Sequence, residues 1–343
     1  MKLTDTAFYE AIRDWLTVHL PKHQRCSANT ITSYKHTLNA FVDYLIDEKS
    51  IKIHKLSFTH FTAANINGFL DWLQETRNIG ASTRNQRLMA LRSFAKYAAG
   101  KDVQYLFLQS EIANVPKQKH EKAIVKFLSE DELKTLLSMP DRNTRLGLRD
   151  SFLMSLMYDA GARLSEMLNL KFNSFELDQG KPFIYLTGKG NKTRTVPIMG
   201  KTVQMFRQYC REFNDGSLNS DNYLFYTIIH GVVHQLSPDA VQSFMRKYCK
   251  KAKQTCPSMP DKLHPHQLRH TRAIHLYRGG VPLSLVAEFL GHAHISTAQV
   301  YAYADTEMKR EAIRKVDGTT DDSHEPAVWE NDKEMIKRLY GLL

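Results

Sequence analysis

Apolar residues recur at three- and four-residue spacing along most of the chain, so the sequence reads as mainly helical. Phe8, Ile12, Trp15, Leu16 and Leu20 form a first stripe, closed by Pro21. A second helix starts at Asn29-Thr30 and carries Tyr34, Leu38, Phe41, Tyr44 and Leu45. Ile66, Phe69, Leu70 and Leu73 mark a third, and a fourth begins near Ser82-Thr83 and holds Leu88, Leu91, Phe94 and Tyr97. Short connections between four such helices predict a small all-helical domain over residues 1–115. The stretch 116–126, with Pro116, Lys117, Lys119 and Lys122, is polar, basic and without apolar periodicity, and reads as a linker.

The pattern resumes over residues 127–316. Ser129 and Glu132 form a capping box before Leu133, Leu136 and Leu137. A helix from Asn143 or Arg145 to Tyr158 should end at the Asp159-Ala160-Gly161 turn, and another follows over 162–170. The period then changes to two: residues 183–187 and 193–198 read as β-strands joined by a glycine-bearing turn at 188–192. Residues 218–237 read as a loop-rich excursion, and Ser237-Pro238-Asp239 opens a helix with Val241, Phe244 and Tyr248 inward. Two further helices are separated by Gly279-Gly280-Val281-Pro282, and Gly291 ends the second. The fold class expected is mainly α with a small β-sheet or hairpin in the C-terminal domain. Residues 317–343 read as a polar link and a terminal amphipathic helix that packs either on its own domain or on a neighbouring protomer.

Within this frame one polar stretch stands out. His266 and Arg269 lie three apart on one helix face, His292 follows the helix-ending Gly291, and Tyr301 comes shortly after. A guanidinium, two imidazoles and a phenol suit an anionic centre of trigonal-bipyramidal character, with the tyrosine as nucleophile. Arg163 opens its helix, where backbone donors favour an anion, or else simply pairs with Glu166 one turn on.

Composition and charge narrow the partners. The 343 residues suffice for two domains, and a formal net charge of +11 from 47 Lys and Arg points to a polyanion. Cys26, Cys210, Cys249 and Cys256 are scattered, which argues against a disulfide framework or a metal site and fits a reducing compartment. The N-terminus lacks the apolar core of a signal peptide, and no apolar run is long enough to span a membrane. A cytoplasmic location is expected.

Gly-x-Arg163-x-Ser-Glu166, the Gly-Lys189-Gly-Asn-Lys192 turn, His266-x-x-Arg269, Leu-Gly-His292 and Tyr301 together resemble the boxes of the tyrosine site-specific recombinases, the family of phage integrases and Xer-type recombinases. The N-terminal helices also resemble the SAM-like core-binding domain of that family. The resemblance implies a C-shaped clamp of two domains around double-stranded DNA. It implies that Tyr301 forms a 3′-phosphotyrosine bond, that Arg163 and Arg269 stabilise the phosphate oxygens, and that His292 donates to the same phosphate. His266 would act as proton acceptor or positioning group, Glu166 would orient Arg163, and Lys189 would protonate the leaving 5′ oxygen, with Lys192 as its rival. Tyr303 is the rival nucleophile. No cofactor or metal is implied.

Arg84, Arg87 and Arg92 on the fourth helix, Lys192 and Arg194 on the hairpin, and Arg246 and Lys247 on the later basic helix are expected to contact DNA, unless those faces are merely solvated. The family assembles as a dimer on an inverted-repeat site and a tetramer in synapsis, which favours docking of the terminal helix in trans. The starting point near Met1 leaves no room for an arm-binding domain, as in Xer-like or mobile-element recombinases, whose outcomes are integration, excision or Xer-type resolution. A type IB topoisomerase and a non-catalytic DNA-binding regulator are the alternatives. Arg272, where an aromatic is common, and Ala162, where a larger residue is usual, depart from the family pattern.

Overall fold

A computed structural model describes residues 6–119, 125–177, 180–188, 192–214, 220–291, 298–304 and 334, with no account of the side chains of 302–304. The chain divides into two compact units, residues 1–123 and 124–343. The described residues are mostly helical with small antiparallel sheets.

In the first unit, α1 (Ala7–Asp14) runs on into a π-helical stretch, Trp15–His23. Pro21 therefore does not close this helix as the sequence suggested. Its missing N–H removes one rung, and the wider turns, such as Gln24 N to His19 O, accommodate the ring. α2 (Ala28–Asp47) and α3 (Ala63–Arg77) are capped by Ser27 and Thr62, whose hydroxyls accept from Thr30 N and Asn65 N. α4 (Ala81–Lys101) is followed by α5 (Leu106–Asn114), which the sequence did not announce. Ile112 is the one buried residue of α5, while Leu106 and Phe107 are exposed, so no clean amphipathic stripe marks it. Phe8, Trp15, Phe41, Phe61, Phe69 and Phe94 form an aromatic core among these helices.

The second unit opens with α6 (Glu130–Ser138), whose Ser129–Glu132 capping box is formed at both ends. α7 (Arg145–Ala160) is largely buried and ends at Gly161 in the left-handed conformation, φ +56°. A Cβ at Gly161 would lie 2.9 Å from Leu290 Cδ2, so glycine serves both the turn and the close approach. α8 (Leu164–Leu168) starts at Arg163. Next comes a three-stranded antiparallel sheet, β1 (Phe175–Glu176), β2 (Phe183–Thr187) and β3 (Thr193–Pro197), with Leu186 opposite Arg194.

α9 (Gly200–Phe213) leads to a second hairpin, β4 (Tyr226–Ile229) and β5 (Val232–Gln235), inside the segment expected to be loop-rich. The turn residues His230 and Gly231 both have positive φ, 49° and 78°, the conformation that joins twisted strands in two residues. Ile228, Ile229 and Val232 are exposed, which erases the alternation that would have revealed these strands. α10 (Pro238–Thr255), α11 (Pro265–Arg278), α12 (Leu283–Leu290) and α13 (Gln299–Ala304) complete the described elements. Around the large core of this unit, α11, α12 and α13 enclose a smaller one of Ala273, Ile274, Val286, Ala287, Leu290, Ala298 and Tyr301.

Arg272, unusual for its position, is absorbed by packing. Its guanidinium lies over the rings of Tyr158 and Phe289 and pairs with Asp159 at 3.5 Å. The helix expected over 307–316 lies outside the described residues, as does the terminal helix expected over 328–342 apart from Glu334, which is helical.

Candidate active site

The start of α8, strand β3 and helix α11 each bring an arginine to Glu166. This carboxylate is buried, yet its Oε1 accepts from Arg163 Nη1 at 2.7 Å and Arg194 Nη1 at 3.0 Å. Its Oε2 accepts from the Arg163 backbone N–H at 2.8 Å and Arg194 Nη2 at 3.0 Å, with Arg269 Nη1 4.0 Å away. Burial alone would raise its pKa, but the bonds from Arg194 and Arg163 hold it at about 2, so it stays ionised.

The same three arginines satisfy consecutive carbonyls at the end of α12. Arg194 Nε donates to Phe289 O at 3.3 Å, Arg269 Nη2 to Leu290 O at 2.7 Å, and Arg163 Nη2 to Gly291 O at 3.4 Å. Helix C-terminal carbonyls lack intrahelical partners and carry partial negative charge, so cations suit them. Arg269 also donates to Gly161 O at 2.7 Å and is almost fully buried; burial and the neighbouring Arg163 lower its pKa to about 10. One carboxylate among three guanidiniums leaves a surplus of two positive charges. The Arg163 side chain is 33% exposed, so part of that charge faces solvent.

Two glycines make this convergence possible. A Cβ at Gly188 would lie 2.9 Å from Glu166 Oε1, and one at Gly291, φ +66°, would lie 3.0 Å from Arg194 Cδ. Lys189 and His292 themselves lie outside the described residues. Their chain neighbours Gly188 and Gly291 both border the arginine–glutamate cluster.

Tyr301 is 1% exposed, its ring packed in the small core under α11. Burial raises its hydroxyl pKa, while Arg269 and Arg163 pull it down. The phenol oxygen lies 3.1 Å from Nδ1 of His270, a residue the sequence reading passed over. His270 follows His266 by one helical turn, so spacing alone offered a signal. The two imidazoles lie nearly parallel with ring centroids 6.1 Å apart. His266 stands at the solvent edge of α11; desolvation against the helix and then Arg269 and Arg163 lower its pKa.

A family model for the phage integrase family matches residues 126–308, and one for the phage integrase N-terminal SAM-like domain matches residues 14–101. The chain belongs to the phage integrase family. It is a tyrosine recombinase, a site-specific enzyme that cleaves and rejoins DNA strands. The integrase/recombinase y4rC of Sinorhizobium fredii is 30% identical over 86% of this chain and 87% of its own length. Tyrosine recombinase XerA of Pyrococcus horikoshii is 34% identical over 72% of this chain and 78% of its own. Among solved structures, XerH recombinase bound to a palindromic difH substrate superposes with a TM-score of 0.66 at 22% identity, covering 91% of this chain and 89% of that one. A lambda integrase tetramer bound to a Holliday junction superposes at 0.60 with 14% identity, over 85% and 76%.

The recombinase's expected DNA contacts fall into two groups. Arg84, Arg87 and Arg92 do not form an open basic face. Arg84 is buried, 3.6 Å from Asp71 and bonded to Pro116 O; Arg87 donates to Ser33 O and Thr37 Oγ1; Arg92 donates to the carbonyls of Ile112, Ala113 and Val115. The reason is helical register: positions 84, 88, 91 and 95 fall on one stripe, so Arg84 shares the leucine face rather than opposing it. The exposed residues of α4 include Ser82, Gln86, Met89 and Lys96.

Arg194 likewise serves Glu166 rather than solvent, and strand alternation places it on the inward face with Val196. Lys192, Arg246 and Lys247 are exposed. Among the described residues, no helix is long and apolar enough to cross a membrane.

Proposed function

We propose that Tyr301 is the nucleophile of the strand-cleavage reaction, attacking the scissile phosphodiester to form a 3′-phosphotyrosine bond and release a 5′ hydroxyl. Arg163 and Arg269 bind the non-bridging oxygens, Glu166 aligns both guanidiniums, and His292 donates to the same phosphate. His266 positions the phosphate from the solvent edge of α11. Lys189 protonates the leaving oxygen, with Lys192 as its rival; a Cβ at Gly188, next to Lys189, would lie 2.9 Å from Glu166 Oε1. The observation that carries this reading is the surplus of two positive charges around a buried, ionised Glu166. Negative charge builds up on the phosphorane, and preorganised cations stabilise it more than they stabilise the bound substrate.

The substrate is double-stranded DNA with an inverted-repeat site, gripped by residues 1–115 and 127–316 joined by the linker 116–126. Lys192, Arg246 and Lys247 contact phosphates. Two copies occupy one site and four form the synapse, and residues 317–343 dock on a neighbouring copy. The palindromic substrate of XerH and the tetrameric lambda integrase complex support this assembly.

The test is a denaturing gel of the protein incubated in EDTA with duplexes carrying inverted repeats around a nicked spacer. Wild type and Tyr303→Phe give a covalent protein–DNA band, and Tyr301→Phe gives none. A band that survives in Tyr301→Phe and vanishes in Tyr303→Phe overturns the assignment.

A further inference from the structure

We propose that His270 is the residue that receives the Tyr301 proton: its Nδ1 accepts the phenolic O–H, holds the oxygen for attack, and takes the proton as the bond to phosphorus forms. This rests on Tyr301 being the nucleophile. The geometry is a nucleophile and a base within hydrogen-bond reach, Tyr301 Oη to His270 Nδ1 at 3.1 Å, on two packed helices. The phenol is held in place because the Tyr301 ring is anchored in the small core, and the His266 ring lies 6.1 Å from that of His270, centroid to centroid. His266 is exposed, and His270 makes the direct contact with the phenol oxygen.

Charged and titratable groups surround the pair, and of those acting on His266 the arginines lower its ring while Glu166 raises it. On its own helix His270 meets His266 and Arg269; from α13 it meets Tyr301; and Arg163 and Glu166, at the start of α8, act on His266 beside it. Burial first, then His266 and Arg269, lower the His270 ring to about 4, so it is neutral at neutral pH. A neutral imidazole has one bare nitrogen, and with the N–H on Nε2 that nitrogen is Nδ1.

A ring so hard to protonate does not remove a proton from the resting phenol. It does so when DNA is bound. The phosphodiester brings a negative charge that offsets Arg269 and Arg163, and the phenolic proton turns strongly acidic as oxygen bonds to phosphorus. In the balanced step the Tyr301 O–H bond breaks and an N–H bond forms on His270; the phenol oxygen bonds to phosphorus and the bond to the 5′ oxygen breaks. That oxygen takes a proton from the general acid. Rejoining runs the same step backwards, with His270 returning its proton to the departing tyrosine.

The experiment uses full-length protein in which Tyr301→Phe has already been shown to abolish the covalent band, so failure of the nucleophile assignment is seen separately. Single-turnover cleavage is compared for His270→Asn, which keeps a short hydrogen-bonding side chain but takes no proton, and for His266→Asn. DNA affinity and melting temperature serve as controls. His270→Asn should cleave about 100-fold more slowly at neutral pH and recover as alkaline pH supplies hydroxide, whereas His266→Asn should show no such recovery. Wild-type rates in His270→Asn, or alkaline recovery in His266→Asn instead, would overturn the assignment. A second readout needs no activity: ¹⁵N NMR should find His270 Nδ1 unprotonated at neutral pH and shifted in Tyr301→Phe. A protonated Nδ1 overturns the proposal.

Discussion

Replacing Glu166 by glutamine keeps the shape of the side chain and removes the one negative charge that three arginines share. The carboxyl is held at about 2 against an ordinary 4.5. That depression is worth about 3 kcal/mol of folding stability at neutral pH. The side chain is 1% exposed, so solvent screening takes little from that figure.

The sign follows from the depressed value. Stability is present in full above the unfolded carboxyl's 4.5 and is lost as pH falls toward about 2. By about pH 3 the contribution should have shrunk to less than half of its neutral-pH value. Glu166→Gln should therefore lower the melting temperature of the second unit by about 10 °C at neutral pH, since a unit of this size shifts by roughly 2–4 °C per kcal/mol. The gap between variant and wild type should narrow on acidification. Scanning calorimetry across that pH range checks it. A variant melting within about 2 °C of wild type at neutral pH, or a gap that stays constant as pH falls, refutes the claim that the cluster depends on an ionised carboxylate.

Other consequences follow from the same contacts. Gly291→Ala puts a Cβ at 3.0 Å from Arg194 in a backbone at φ +66°, so a loss of about 1–2 kcal/mol is expected together with slower cleavage, read by melting and single-turnover assays. Arg194→Lys replaces a two-pronged bond to Glu166 by a point charge; cleavage should slow with DNA affinity retained, measured by quench and by filter binding. Arg84→Met should destabilise the first unit, because it leaves Asp71 and the Pro116 carbonyl without their partner. Arg246→Ala and Lys247→Ala should leave melting unchanged but weaken DNA binding, each reducing the salt slope by about 1.

Local patterns made much of the fold legible. The Ser129–Glu132 box, the glycine stop at Gly161, the β2–β3 hairpin and the Gly291 end of α12 all depend on backbone preferences that neighbouring residues express alone. Where local pattern was weak, so was the reading. The β4–β5 hairpin and α5 expose apolar residues and show no period, and Pro21 was absorbed by a π-helical turn.

Chemistry followed the same division. Residue types and order along the chain singled out Arg163, Glu166, His266, Arg269 and Tyr301, because motifs are local. Side-chain partners were decided only in three dimensions. Arg84 and Arg194 are basic residues in polar company along the sequence, yet both turn inward and pair with carboxylates from other segments. His270 became prominent only when α13 brought the Tyr301 oxygen to its ring. Long-range pairing depends on helix phase and on which elements pack together, quantities that a one-dimensional pattern does not carry. Sequence by itself thus determined which groups this recombinase possesses, and tertiary structure decided which of them orient the others.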